Sequence, residues 1–339
     1  MASEPDNGRG RHRWWDPRPG LARLWRHPDK ALAWIAPILL VVLSSLLLNS
    51  VRGWLALGWP RQEIDPDRLS WSHGYPSTLV RDMTARLDWG LTVLALLVAL
   101  AVLVSVCGGV VGDALRKHRP GLATGVWAIL FGVALWATLQ VGTGYSTASI
   151  PSFYPLLDRA LPGLRDLAAE LNRLALLGAI WLAFSAASLS LSAGRAVEED
   201  NVAHLRIRLR ALHLLLYSGA AVLVAGVLEI HAFHRWALAL LDPADGELLA
   251  PLARSVVLVI GTYWTLLLLS IYAPVRSHLH LETSRLGRLA ERPPEQRRAW
   301  LEENELASTG WQIFLRLGAV LGPFLAGAPL GTLLELFGS

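Results

Sequence analysis

Apolar positions along the chain gather into six blocks of about twenty residues, roughly 31–51, 90–112, 123–143, 174–193, 211–231 and 255–275. At 1.5 Å of rise per residue each block is long enough, as a helix, to cross about 30 Å of hydrocarbon. Period-two alternation is missing, which argues against a β-barrel. The pattern predicts an all-α, polytopic membrane protein with six transmembrane helices.

Four stretches lie outside these blocks and have patterns of their own. Residues 1–30 are basic and aromatic, with Trp14, Trp15 and Trp25 ahead of the first block. The connection 52–89 holds "STLVRDMTARLDW", whose helical spacing predicts an element lying along the membrane surface. Residues 161–174 set Leu161, Leu164, Leu167, Leu171 and Leu174 at three- and four-residue steps, predicting a short amphipathic helix at the outer interface. In 276–312, Leu279, Leu286 and Leu289 extend the sixth helix beyond the lipid. Pro293-Pro294 stops it, and Pro294 opens a second helix over "PEQRRAWLEENEL".

The tail 313–339, "IFLRLGAVLGPFLAGAPLGTLLELFGS", is apolar but broken by Pro323, Pro329 and several glycines. It reads as two short helical pieces separated near Gly327–Pro329, re-entrant or packed at the inner interface, with a seventh crossing as the other reading. The domain organisation is thus an N-terminal segment 1–30, a six-helix domain 31–275, a cytoplasmic helical segment 276–312 and the hydrophobic tail.

Composition agrees. Hydrophobic residues make up 53% and charged residues 17% of 339, against about 25% charged in soluble proteins. The net charge of +4 comes from arginine, since Lys30 and Lys117 are the only lysines. Nucleic acid is not the expected partner, because the arginines sit between apolar blocks. They divide unevenly. Twenty Lys and Arg fall in 1–30, 113–122, 194–210 and 276–312, and ten in the alternate connections. The excess predicts cytoplasmic termini and, with no signal-peptide pattern at the start, a bacterial inner-membrane location. One cysteine, Cys107, excludes an intrachain disulfide and a cysteine-based zinc motif.

Polar residues inside apolar blocks are candidate functional residues, since lipid makes them costly. The run "GVLEIHAFHRW", 226–236, ends the fifth block on Glu229, His231 and His234. His231 and His234, three apart, share a helix face, whereas Glu229 and His231 do not. Asn49, Gln140 and Arg254 fall at the same outer level, with Arg254 able to neutralise Glu229. The six residues Asn49, Gln140, Glu229, His231, His234 and Arg254 therefore form a candidate polar pathway. The opposing expectation is an ordinary helix end with hydrogen-bonded side chains. Ala179, Ala183 and Ala187, Gly108 and Gly112, and Gly318, Gly322 and Ala326 are expected packing seams.

No phosphate-binding loop, nucleophile elbow or zinc-protease helix occurs, so no catalytic residue, metal or cofactor is expected and the reading leans away from an enzyme. A channel, transporter or membrane-permeabilising component comes first. A scaffold or sensor docking a cytoplasmic protein on 1–30 and 276–312 is the alternative, and an intramembrane enzyme the third. Expected partners are the bilayer, a cytoplasmic protein and further copies of the chain.

Overall fold

The structure, a computed structural model, describes residues 76–117, 162–191, 198–289, 294–304, 306 and 310–327, with isolated positions between 32 and 43 and between 129 and 137. Six helices follow in order: α1 Pro76–Lys117, α2 Leu164–Leu191, α3 Glu198–Ala239, α4 Pro243–Leu289, α5 Pro294–Glu303 and α6 Gly310–Gly327. Three of them begin at proline, whose fixed φ suits the first turn and whose missing N–H has no intrahelical partner there anyway. Among the described residues no strand is formed, and α1 to α4 each carry a stretch long and apolar enough to cross a membrane. The first and third predicted crossings fall largely outside the described residues.

Of the long helices, α3 runs antiparallel to α1 and to α2. Gly219 of α3 lies against Leu182 of α2, and Arg208 of α3 reaches the Leu189 carbonyl, so α2 and α3 are antiparallel. Gly178 of α2 lies against Leu100 and Leu103 of α1, and because α1 is also antiparallel to α3, α1 and α2 are parallel. Leu96, Leu100, Leu103 and Cys107 form the buried stripe of α1 at steps of four, three and four. Across the same helix, Leu91, Leu94, Val98 and Val102 are each more than half exposed. An apolar stripe of that length facing water would be a severe liability, and facing lipid it is the expected surface.

The packing seams divide. Ala179, Ala183 and Ala187 are buried, and Ser185, Ser188 and Ser190 bond back to carbonyls of their own helix at 2.7 Å. Gly108 and Gly112 meet no neighbour among the described residues. Among the described glycines, the closest approach to another helix's backbone is between α4 and α6. A Cβ on Gly261 would stand 2.6 Å from the Pro323 carbonyl oxygen, and one on Gly327 2.9 Å from that of Val257. The backbone N–H of Phe324, beside Pro323, donates to Thr265 Oγ1 at 3.0 Å. α6 therefore runs antiparallel to α4 and ends at the depth of Val257. Residues 328–339 lie outside the described set.

Two surface expectations change. The stretch "STLVRDMTARLDW" does not form a separate surface helix, because it is the first third of α1, continuous with the crossing. The leucines of 164–174 likewise open α2, after Gly163 turns the chain with φ of +87°. At 42 residues α1 and α3 are each about 63 Å long, twice a bilayer core. Their outer thirds gain more by packing on each other than by lying on lipid, as the aromatic contacts below show.

At the opposite end Arg208, 5% exposed, ties three helices together. It donates to the Leu189 carbonyl near the end of α2 through Nε at 2.9 Å and through Nη2, and to Glu282 of α4 at 2.6 Å. His278 Nε2 lies 3.0 Å from the other Glu282 oxygen. A cation at a helix C-terminus satisfies carbonyls that the helix itself leaves unbonded. Arg206 adds a bond to the Asn304 carbonyl at 3.0 Å, fixing the end of α5.

Candidate functional site

The run 226–236 is not a helix end, because α3 continues to Ala239. Its side chains sort onto two faces by helical spacing. Glu229, Phe233 and Trp236, at steps of four and three, face α1. His231, His234, Arg235 and Leu238 face α4.

The α1 face is closed by two hydrogen bonds of the same kind. The Trp89 indole donates to Glu229 Oε1 at 2.7 Å, and the Trp236 indole donates to Asp82 Oδ1 at 2.8 Å. Each helix supplies a carboxylate and, seven residues later, a tryptophan, and antiparallel packing puts each tryptophan beside the other helix's acid. The two indoles lie 5.6 Å apart between centroids, with Phe233 6.4 Å from Trp89. Arg86 grips both Asp82 oxygens, at 2.9 and 2.8 Å, and its guanidinium stands 5.4 Å from the Trp236 ring centroid. Glu229 is 5% exposed. Its partner is thus Trp89, and the expected pairing with Arg254 is not formed.

The α4 face borders a cavity of about 280 Å³ lined by His231, His234, Arg235 and Leu238 of α3 and by Ala250, Ala253 and Arg254 of α4. Among the described residues, every ionisable group on its wall is a base. His234 Nδ1 lies 2.6 Å from the Ile230 carbonyl, which fixes a proton on that nitrogen. Two guanidiniums supply donors in planar forks suited to oxyanions and halides. Of the six candidate residues, His231, His234 and Arg254 come together here, and Glu229 is turned away. Asn49 and Gln140 lie outside the described residues. No group of three or more His, Cys, Asp or Glu able to hold a metal occurs among the described residues.

Comparisons with protein families, curated proteins and solved structures find no match.

Arg235, Asp82, Arg86, Trp89 and Trp236 were not among the sequence candidates. The signal for the α1–α3 clasp is present in the chain as an acid followed seven residues later by tryptophan, in "DMTARLDW" at 82–89 and "EIHAFHRW" at 229–236. It has meaning once both stretches are helices crossing in opposite directions. Arg235 shares a face with His231 at a four-residue step and was legible from spacing alone.

Proposed function

We propose that this chain is an integral membrane channel or transporter for small anions, set in a bacterial inner membrane with both termini cytoplasmic. The observation that carries the reading is the cavity between α3 and α4, walled by Arg235, Arg254, His231 and His234, with no carboxylate among the described residues that line it. A ring of one sign of charge at a membrane-embedded mouth raises the local concentration of the opposite ion and repels cations. The clasp between α1 and α3 sets the position of the basic face by removing Glu229 from it. α6 is read as an inserted element along α3 and α4, and the arginine asymmetry supplies the orientation.

Reconstitution of the full chain into proteoliposomes tests this. Chloride or nitrate should exchange faster than in protein-free vesicles, and R235Q and R254Q should each slow it. Exchange no faster than in empty vesicles sinks the proposal.

The scaffold reading keeps one observation in its favour: α3, α4 and α5 extend beyond the apolar stretches on the side opposite the cavity, held by Arg206 and Arg208. A docked cytoplasmic protein would find an ordered helical surface there. Affinity purification from membranes with the 198–210 arginines intact or replaced separates the two.

A further inference from the structure

We propose that α3, α4 and α6, near the end of their apolar stretches opposite the cavity, form a second site, which binds the phosphate of an anionic lipid headgroup. Five side chains converge there: His213 and Tyr217 of α3, Tyr272 and Arg276 of α4, and Arg316 of α6. Arg276 and Arg316 are within Coulombic reach of each other and of His213, and Tyr272 is within reach of both arginines and of Tyr217. The helix register brings the groups within a turn of one another. Gly261 meets Pro323 and Gly327 meets Val257, so following α4 forward and α6 backward brings Arg316 to the level of Leu268, about one helical turn before Tyr272. Gly322 against Val224 sets α6 beside α3 in the same way, placing Arg316 near Tyr217.

The chemistry is that of a phosphate site. Two guanidiniums brought together repel, and an anion between them converts that cost into attraction. The forks and the phenols offer hydrogen-bond donors to several oxygens at once. His213 Nε2 is buried and has no hydrogen-bond partner among the described residues, so a donor or acceptor of a ligand has a place to bond. Arg316 is the one charged residue of α6.

The surroundings favour a lipid over a free ion. Leu214, Leu269, Phe314 and Leu317 are exposed around the same level and form an apolar surface for acyl chains. Trp311, 67% exposed, stacks on Phe314 at 5.6 Å, and an exposed tryptophan at a helix end marks the headgroup layer. The basic groups therefore sit just inside that layer, where a headgroup phosphate lies. The site is separate from the cavity between α3 and α4, and its test does not depend on transport.

The full chain in phosphatidylcholine nanodiscs, probed with spin-labelled phosphatidylglycerol and spin-labelled phosphatidylcholine, supplies the measurement. The wild type should immobilise the anionic lipid in preference to the zwitterionic one. R276Q and R316Q should each weaken that preference by roughly tenfold or more, the range for losing a charge-assisted hydrogen bond. R276K and R316K, which keep the charge and lose the fork, should weaken it less. If the Gln variants fail to fold by circular dichroism, the Lys variants carry the test. Orthophosphate should not displace labelled phosphatidylglycerol more than chloride at equal ionic strength. Displacement at millimolar orthophosphate would make a free phosphate the ligand and overturn the lipid assignment. Equal immobilisation of both lipids by the wild type, or an unchanged preference in folded variants, overturns the site altogether.

Discussion

Replacing Trp89 with phenylalanine removes one indole N–H and little else. The six-membered ring survives to contact Phe233 and Trp236, so most of the aromatic packing is kept. What is lost is the donor held 2.7 Å from Glu229 Oε1. Glu229 is 5% exposed, and water does not readily replace that donor. A buried acceptor stripped of its partner costs about 1–3 kcal/mol, so W89F should destabilise the fold by that amount. The same change in an E229L background should cost much less, because no acceptor remains. The difference is the coupling energy, expected at about 1–2 kcal/mol for residues in direct contact. Reversible unfolding in mixed micelles with rising dodecyl sulfate, followed by far-ultraviolet circular dichroism, measures each corner of the cycle. A W89F cost below about 0.5 kcal/mol, or an equal cost in both backgrounds, would refute the bond as a determinant of α1–α3 packing.

R208M should cost about 3–5 kcal/mol by unfolding in the same micelles, since it takes the donor from the Leu189 carbonyl and leaves half-buried Glu282 with His278 alone. Adding E282L should recover part of that loss, and no recovery would mean Arg208 acts through packing alone. G261L should overpack the α4–α6 contact, where even a Cβ would lie 2.6 Å from the Pro323 carbonyl, costing about 1–3 kcal/mol. Trypsin should then cut at Arg316 faster than in the wild type, and an unchanged cleavage rate would contradict the close approach. Alkaline phosphatase fused after Ser70 should be active and after Lys117 silent, and activity at Lys117 would reverse the orientation.

The sequence made the apolar lengths of α1 to α4 legible because lipid leaves so few alternatives for a twenty-residue apolar run. It made the stop at Pro293-Pro294 legible for an equally local reason. The coaxial extension of α1 was harder to see. Amphipathic spacing over 77–89 fits a helix on the membrane as well as one on another helix, and the choice rests on Asp82, Arg86 and Trp89 meeting partners 140 or more residues away. Glu229 was recognised as special from its depth, but its partner was misassigned, since charge suggested Arg254 and geometry supplied an indole. Gly108 and Gly112 have the spacing of a seam and no described neighbour, whereas Gly261, without a spaced companion, makes the closest approach to another helix's backbone among the described glycines. Spacing identifies a face, and only the third dimension says what covers it.

The central claim is that the charge of the cavity between α3 and α4 selects anions. It is tested most directly by measuring the ratio of chloride to potassium permeation in the same proteoliposomes for the wild type, R254E and the R235E/R254E double variant. The wild type should favour chloride, R254E should reduce the ratio, and the double variant should lower it further or invert it, with protein content and circular dichroism unchanged. A ratio that is the same in all three proteins would contradict the account.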